Sequence, residues 1–223
     1  KMLTGSQVFN GKKMFFASSG ALEIDGTGSG WKKIESNWYY FDEEGKQIVG
    51  KKEINGLTYY FDNKGVMQTG WALIEGHWNY FANSGAMKTG WIKDKDTWYY
   101  LDKEGIMQTG LKEIEGTRYY LNASGVMQTG WKWFDNHYSY FTSSGAMKIG
   151  WLKENRLWYY LDTETGQMVT GIHKVNDETY YFDANGAMQT GWKQLDGKWY
   201  YFQADGSLLR NGTTPDGYKV NAE

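Results

Sequence analysis

Large apolar residues return along this chain in short bursts separated by polar stretches. In residues 89–110, TGWIKDKDTWYYLDKEGIMQTG, a Trp follows a Gly and a second Trp opens an aromatic run seven residues later. A polar stretch ending in Gly-x-Met then leads to the next Thr-Gly. Glycine recurs at 30, 50, 70, 90, 110, 130, 150, 171, 191 and 212, so the period is 20 with single insertions near 163–166 and 207–211. A second glycine series starts at Gly45, and two residues after most of its members stands Met67, Met87, Met107, Met127, Met147, Met168 or Met188. Gln47 and Leu208 take that place in the first and last copies. One degenerate copy, FNGKKMFFASSGAL over 9–22, and nine clear ones fill nearly the whole chain and leave no room for a separate catalytic domain.

The burst pattern predicts strands. Aromatic and β-branched residues favour the pleated sheet. Asn55-Gly56 and Asp196-Gly197 suit the two-residue type I′ turn, which needs positive φ at both positions. Glu75-Gly76, Asn136 and Asn155 stand in related places. Each copy therefore reads as a β-hairpin plus a loop. A lone hairpin cannot bury a face, whereas stacked copies bury a continuous seam. The expected fold is an all-β solenoid of stacked hairpin repeats, with a degenerate repeat or cap over 1–29, nine repeats over 30–212 and an exit segment over 213–223 onto which another domain of the same protein can be joined.

Register sorts the rings. In GWKQLDGKWYYF, residues 191–202, a turn at Asp196-Gly197 pairs Leu195 with Lys198, Gln194 with Trp199 and Trp192 with Tyr201. Cross-strand partners share a face. Trp192, Trp199 and Tyr201 thus lie on one face, and Tyr200 lies on the other with Lys193 and Leu195. Down the chain the two Trp slots read Trp31/Trp38, Lys51/Thr58, Trp71/Trp78, Trp91/Trp98, Leu111/Arg118, Trp131/Tyr138, Trp151/Trp158, Ile172/Thr179 and Trp192/Trp199. Both slots lose their rings together, in every third copy, whereas drift under packing alone would change them separately. The second Tyr of the aromatic run never varies, from Tyr40 to Tyr201.

Composition narrows what these rings do. Aromatics make up 18 % of the chain, with 12 Trp and 18 Tyr, yet mean hydropathy is −0.68. An ordinary core is aliphatic, so many rings have another task. Net charge is −2 with three Arg and no basic run, which argues against nucleic acid as a partner. Cysteine is absent, which excludes thiol chemistry, and no apolar run approaches the length of a membrane span. His77 and His137 fall beside hairpin turns, and Asp42, Asp62, Asp102, Asp162 and Asp183 follow the aromatic runs as turn formers. No metal, cofactor or catalytic residue is expected, and the chain by itself is not expected to be an enzyme. Several electron-rich rings around one space suit a quaternary ammonium group, each ring contributing roughly 0.5–2 kcal/mol. A sugar is the second candidate, and a spacer with vestigial sites the third.

The unit TGW-x6-WYY-x-D-x2-G-x-M, with GWKQLDGKWYYF and GAMQTGW as its clearest instances, closely resembles the choline-binding (cell-wall-binding) repeat of pneumococcal-type surface proteins and autolysins. The resemblance spans about residues 30–212. It implies a left-handed β-solenoid with about three hairpins per turn. It also implies an extracellular, wall-attached protein that holds choline or phosphocholine of teichoic and lipoteichoic acids between consecutive hairpins, as the targeting part of a larger wall protein such as a peptidoglycan hydrolase. Carried over with the same-face assignment, the expected cages are Trp31, Trp38 and Tyr60; Trp71, Trp78 and Tyr100; Trp91, Trp98 and Tyr120; Trp131, Tyr138 and Tyr160; and Trp151, Trp158 and Tyr181. Met87, Met107, Met147 and Met168, lying between the hairpins, are candidates for closing them, with the following Met of each as the alternative. Trp192 and Trp199 form a candidate terminal site for which Tyr218 can stand in as the third ring. The copies with Lys51/Thr58, Leu111/Arg118 and Ile172/Thr179 are expected to be silent and, at three hairpins per turn, to lie along one side.

Overall fold

The structure, a computed structural model, describes residues 2–9, 12–16, 19–24 and 29–221. Residues 10, 11, 17 and 18 of the degenerate copy, and residues 25–28, lie outside the described residues. Every element among the described residues is a strand or turn, and none is a helix. Strands Gly5–Phe9 and Lys12–Phe16 pair antiparallel, and Leu22–Ile24 joins the second with a register shift between Phe15 and Phe16. Nine two-stranded hairpins follow, at 30–41, 50–61, 70–81, 90–101, 110–121, 130–141, 150–161, 171–182 and 191–202. The all-β repeat of about 20 residues is therefore as expected.

Each hairpin has the register that the turn dipeptides demand. Asn55 and Gly56 have φ of 50° and 76°, and Asp196 and Gly197 have 50° and 78°, the left-handed pair of a type I′ turn. Trp192 pairs with Tyr201 and Gln194 with Trp199, as the spacing of seven requires.

The chain divides into two compact units, Lys1–Gln108 and Thr109–Glu223. Both build their interior in the same way. The residue after the second Tyr of each hairpin, Phe61, Phe81 and Leu101 in the first unit and Leu121, Phe141, Leu161 and Phe182 in the second, is fully buried. Burying such a side chain contributes roughly 1.5–3 kcal/mol each. Backbone bonds join the repeats. Met67 N donates to Trp38 O at 2.8 Å and Met87 N to Thr58 O at 2.7 Å; in the second unit Met168 N reaches Tyr138 O and Met188 N reaches Trp158 O, both at 2.8 Å. The loop after one hairpin thus closes on the second strand of the hairpin before it.

The Gly-x-Met signature follows from this stacking. Gly85 has φ of +84°, and a Cβ there would meet the sulfur of Met67 at 2.2 Å. Met87, Met127, Met147, Met168 and Met188 lie in the same way against the glycine of the next loop, whose positive φ also favours glycine. The acids after the aromatic runs form turns, as expected. Asp62 Oδ1 accepts the N–H groups of Lys64 and Val66, both at 2.9 Å, and Asn122 Oδ1 does the same for Ser124 and Val126.

Candidate functional site

Within a hairpin the two Trp slots meet at right angles. Trp31 and Trp38 stand 6.3 Å apart at 88°, Trp71 and Trp78 6.4 Å at 87°, and Trp151 and Trp158 6.1 Å at 90°. The cross-strand second Tyr packs edge-on against its own hairpin's first Trp, as Tyr40 does on Trp31, Tyr80 on Trp71 and Tyr100 on Trp91, at 5.1–5.2 Å. The second Trp of each pair, such as Trp38 or Trp158, forms an exposed wall.

The third ring departs from expectation. The next hairpin brings Tyr59 to Trp31 at 4.7 Å, Tyr99 to Trp71 at 4.8 Å, Tyr159 to Trp131 at 5.0 Å and Tyr180 to Trp151 at 4.8 Å. These are the first tyrosines of their runs. The expected Tyr60 stacks on Phe81 at 6.2 Å, and Tyr181 stacks on Phe202 at 5.9 Å. Tyr100 and Tyr160 lie on Trp91 and Trp151 of their own hairpins, and Tyr120 stacks on Phe134 at 4.5 Å. The reason is front-to-back stacking. A hairpin's Trp face meets the opposite face of its successor, and alternation puts the first Tyr there. The sequence carried a signal for this. The first-Tyr slot loses its ring at Asn79 and Ser139, in the hairpins that follow Lys51/Thr58 and Leu111/Arg118, but keeps it at Tyr200 after Ile172/Thr179, so it is lost after two of the three copies without the Trp pair, whereas the second Tyr is invariant.

Open cavities result. One of about 400 Å³ is lined by Trp31, Trp38, Tyr59, Met67, Asn83 and Ser84. Another of about 290 Å³ is lined by Trp151, Trp158, Tyr180, Met188 and Asp205. The Met that lines these two cavities, Met67 or Met188, is the one after the second hairpin. Met107 and Met168 occupy that place for Trp78 and Tyr138, whose carbonyls they bond, while Met87 and Met147 bond the carbonyls of Thr58 and Arg118 in hairpins that lack the Trp pair. Burial, then the charges of Asp205 and Glu178, raises the Tyr180 phenol above its ordinary pKa and keeps it neutral. Trp91 and Trp98 form the same perpendicular pair at 6.4 Å in the first unit.

The terminal pair also acquires a third ring. Tyr218 stands 5.9 Å from Trp192 at 87°, and a cavity of about 480 Å³ is lined by Trp192, Trp199, Asp216 and Tyr218. The exit segment folds as a further loop, with Thr213 bridged to Lys219 and Thr214 N bonded to Tyr218 O.

Chemically, these sites offer ring faces, with a thioether at Trp31 and Trp151 and a carboxylate, Asp205 or Asp216, at Trp151 and Trp192. Among the described residues no group of three or more His, Asp or Glu gathers to hold a metal, and no helix is long and apolar enough to cross a membrane.

Comparison with known proteins agrees with this geometry. A family model described as a choline-binding repeat matches residues 49–89, 88–129, 108–149, 128–170 and 169–212, and a model of a cell wall binding repeat matches 29–46. CbpJ of Streptococcus pneumoniae is 35 % identical with a TM-score of 0.78, over 99 % of this chain and 92 % of that one. Choline binding protein F of the same organism, crystallised with a peptidoglycan analogue, is 31 % identical with a TM-score of 0.72, over 98 % of this chain and 90 % of that one. The choline-binding domain of CbpL, also from Streptococcus pneumoniae, is 28 % identical with a TM-score of 0.64, over 84 % of this chain and all of that one. No curated protein sequence matches the chain.

Proposed function

The chain belongs to the choline-binding repeat family, and on that premise we propose that it attaches noncovalently to the bacterial cell wall by holding the choline of teichoic and lipoteichoic acids. Trimethylammonium groups enter the spaces between consecutive hairpins. The rings proposed to hold them are Trp31, Trp38 and Tyr59; Trp71, Trp78 and Tyr99; Trp131, Tyr138 and Tyr159; Trp151, Trp158 and Tyr180; and, at the end, Trp192, Trp199 and Tyr218. Trp91 and Trp98 supply two rings of a further site.

The observation that carries this reading is the repetition of one arrangement. Two perpendicular rings from one hairpin, a Tyr from the next and a Met recur at Trp31 and at Trp151, around cavities of about 400 and 290 Å³. Cation–π attraction and methyl burial stabilise the ligand at each, roughly 0.5–2 kcal/mol per ring. Several such sites on one chain convert modest affinity into avidity for a polymer that carries many cholines. The chain then serves as the extracellular targeting module of a larger wall protein.

The test is chromatographic. The protein is expected to be retained on a choline- or tertiary-amine-bearing resin and released by free choline but not by glucan oligosaccharides. Passage through the resin without retention removes the reading.

A further inference from the structure

The cages are not electrostatically alike. In the first unit, Trp71 donates its indole Nε1–H to Asp94 Oδ2 at 3.0 Å. Asp94 occupies the strand-end slot that Ile34, Ile54 and Ile74 fill as buried core residues. A carboxylate there loses part of its hydration, and the indole N–H compensates through a charge-assisted bond. In the second unit Glu154 holds the same slot and accepts the hydroxyl of Tyr140 at 3.3 Å, while the Tyr140 ring packs on Trp131 at 5.2 Å. Trp192 reaches the same arrangement by another route. Its Nε1–H bonds Asp216 Oδ2 at 2.9 Å, and Asp216 comes from the exit loop and lines the cavity directly. Hydrogen bonds from Thr214 and from Trp192 hold the Asp216 carboxyl below its ordinary pKa, so it is anionic at neutral pH.

At two other cages a lysine stands over the second ring. Lys33 is the cross-strand partner of Trp38, and its Nζ stands 5.9 Å from that ring's centroid. Lys153 is the partner of Trp158, with its Nζ at 5.4 Å. The corresponding partners of Trp78, Tyr138 and Trp199 are Leu73, Trp133 and Gln194, all uncharged. Among the described residues no carboxylate lines the cavity at Trp31. At Trp151 Asp205 contributes to the lining, but its Oδ1 accepts both the N–H and the hydroxyl of Ser207, at 3.0 and 2.7 Å. Lys33 thus flanks the Trp31 cage, acids without such a lysine accompany the cages at Trp71, Trp131 and Trp192, and the Trp151 cage carries both Lys153 and the Asp205 carboxylate.

Building on the choline reading above, we propose that the chain carries two classes of cage with different ligand preference. The lysine-flanked cage at Trp31/Trp38 favours phosphocholine, whose phosphate pairs with the ammonium at the rim while the rings hold the methyl groups, and the Trp151/Trp158 cage, with Lys153 and Asp205, falls between the two classes. The acid-flanked cages at Trp71/Trp78, Trp131/Tyr138 and Trp192/Trp199 favour choline without a phosphate, because the carboxylate attracts the quaternary cation and repels a phosphate anion. A chain with both classes engages a choline-bearing polymer at its phosphocholine groups and retains sites for the free headgroup.

The experiment resolves the cages one by one. The full chain is labelled with 15N at its indoles, each Nε1–H signal is assigned by single Trp→Phe variants, and the protein is titrated with choline and with phosphocholine. The phosphocholine-to-choline affinity ratio at Trp31 is expected to exceed that at Trp71 and Trp192 on the order of tenfold. Lys33→Met is expected to lower the ratio at Trp31 and leave Trp71 unchanged. Asp94→Asn, which keeps an acceptor for the indole, is expected to raise it at Trp71 and leave Trp31 unchanged. Equal ratios at all cages, or ratios that ignore both substitutions, overturn the two-class proposal and leave choline binding standing. If no indole responds to either ligand, the choline reading falls with it.

Discussion

The spaces after hairpins 30–41 and 50–61 share one backbone and differ in what fills them. Both are closed by a Met N–H on the preceding second strand, Met67 on Trp38 and Met87 on Thr58, at 2.8 and 2.7 Å. In the first, Trp31 touches Tyr59 at 4.7 Å and the core Phe61 at 5.7 Å, and a cavity stays open beside it. In the second, Lys51 and Thr58 replace the Trp pair, and Tyr60 stacks on the next core ring, Phe81, at 6.2 Å and 27°. Asn79 replaces the lent Tyr; it is fully buried and donates its Nδ2 to Gly105 O. The second unit repeats the pattern. Tyr120 stacks on Phe141 at 6.0 Å, Ser139 Oγ donates to Gly166 O at 2.8 Å, and Arg118 donates to Thr165 O at 3.1 Å. The hairpin spacing is therefore set by the backbone, and three side chains decide whether a space is an open cage or a closed joint.

Replacing the two first-slot residues separates the spaces most widely. Trp31→Ala removes a half-buried ring from contact with Tyr40, Tyr59 and Phe61, and is expected to cost about 2–3 kcal/mol, below the full core range because one edge is open. Lys51→Ala, on an exposed residue, is expected to change stability by less than about 0.5 kcal/mol. Urea unfolding of both variants checks this, and equal losses would break the distinction between cage and joint. Converting the joint is the complementary test. Lys51→Trp with Thr58→Trp and Asn79→Tyr is expected to add one choline equivalent in equilibrium dialysis, whereas the two Trp changes without Asn79→Tyr add none. A third variant probes the lock itself. Asn79→Ala leaves the buried Gly105 carbonyl without its side-chain donor and is expected to cost about 1–3 kcal/mol.

How much of this was legible in the sequence follows from what each pattern encodes. The register was legible because Asn55-Gly56 and Asp196-Gly197 admit essentially one tight turn, and the spacing of seven then fixes the pairing of Trp192 with Tyr201. Alternation assigns a side chain to a face but not to the neighbour that the face meets. That is why Tyr60 was expected at Trp31 and Tyr59 is found there. The replacement of the first Tyr by Asn79 and Ser139 after two of the three missing Trp pairs points to the first Tyr, although Tyr200 persists after Ile172/Thr179. The buried Phe or Leu after each Tyr pair drew no attention in the sequence because it never varies in character, although it forms the interior of both units. Tyr218 could be named from the sequence only as a stand-in, because the exit loop has no repeat register to place it.

The smallest expected effect concerns the loops, which cage and joint hairpins have in common. Asp162 Oδ1 accepts the Thr165 N–H and hydroxyl, both at 2.8 Å, and the Glu164 N–H at 3.1 Å. These bonds, those from Thr165 foremost, hold its pKa below the usual 3.8. A depressed carboxylate pKa stabilises the fold at pH values above the unfolded-state pKa, and the contribution is lost as pH falls through the lower, folded-state value. Asp162→Asn keeps an acceptor oxygen, as Asn122 shows in its own loop. The variant is therefore expected to lose only a fraction of a kcal/mol at neutral pH, the charge being next to solvent. That deficit is expected to shrink as pH drops below about 4 and the wild-type carboxylate takes up its proton. Thermal unfolding of both proteins between neutral pH and acid measures the convergence. A deficit independent of pH would show that Asp162 acts through shape alone, and that the loops, like the spaces between hairpins, are set by backbone geometry rather than by charge.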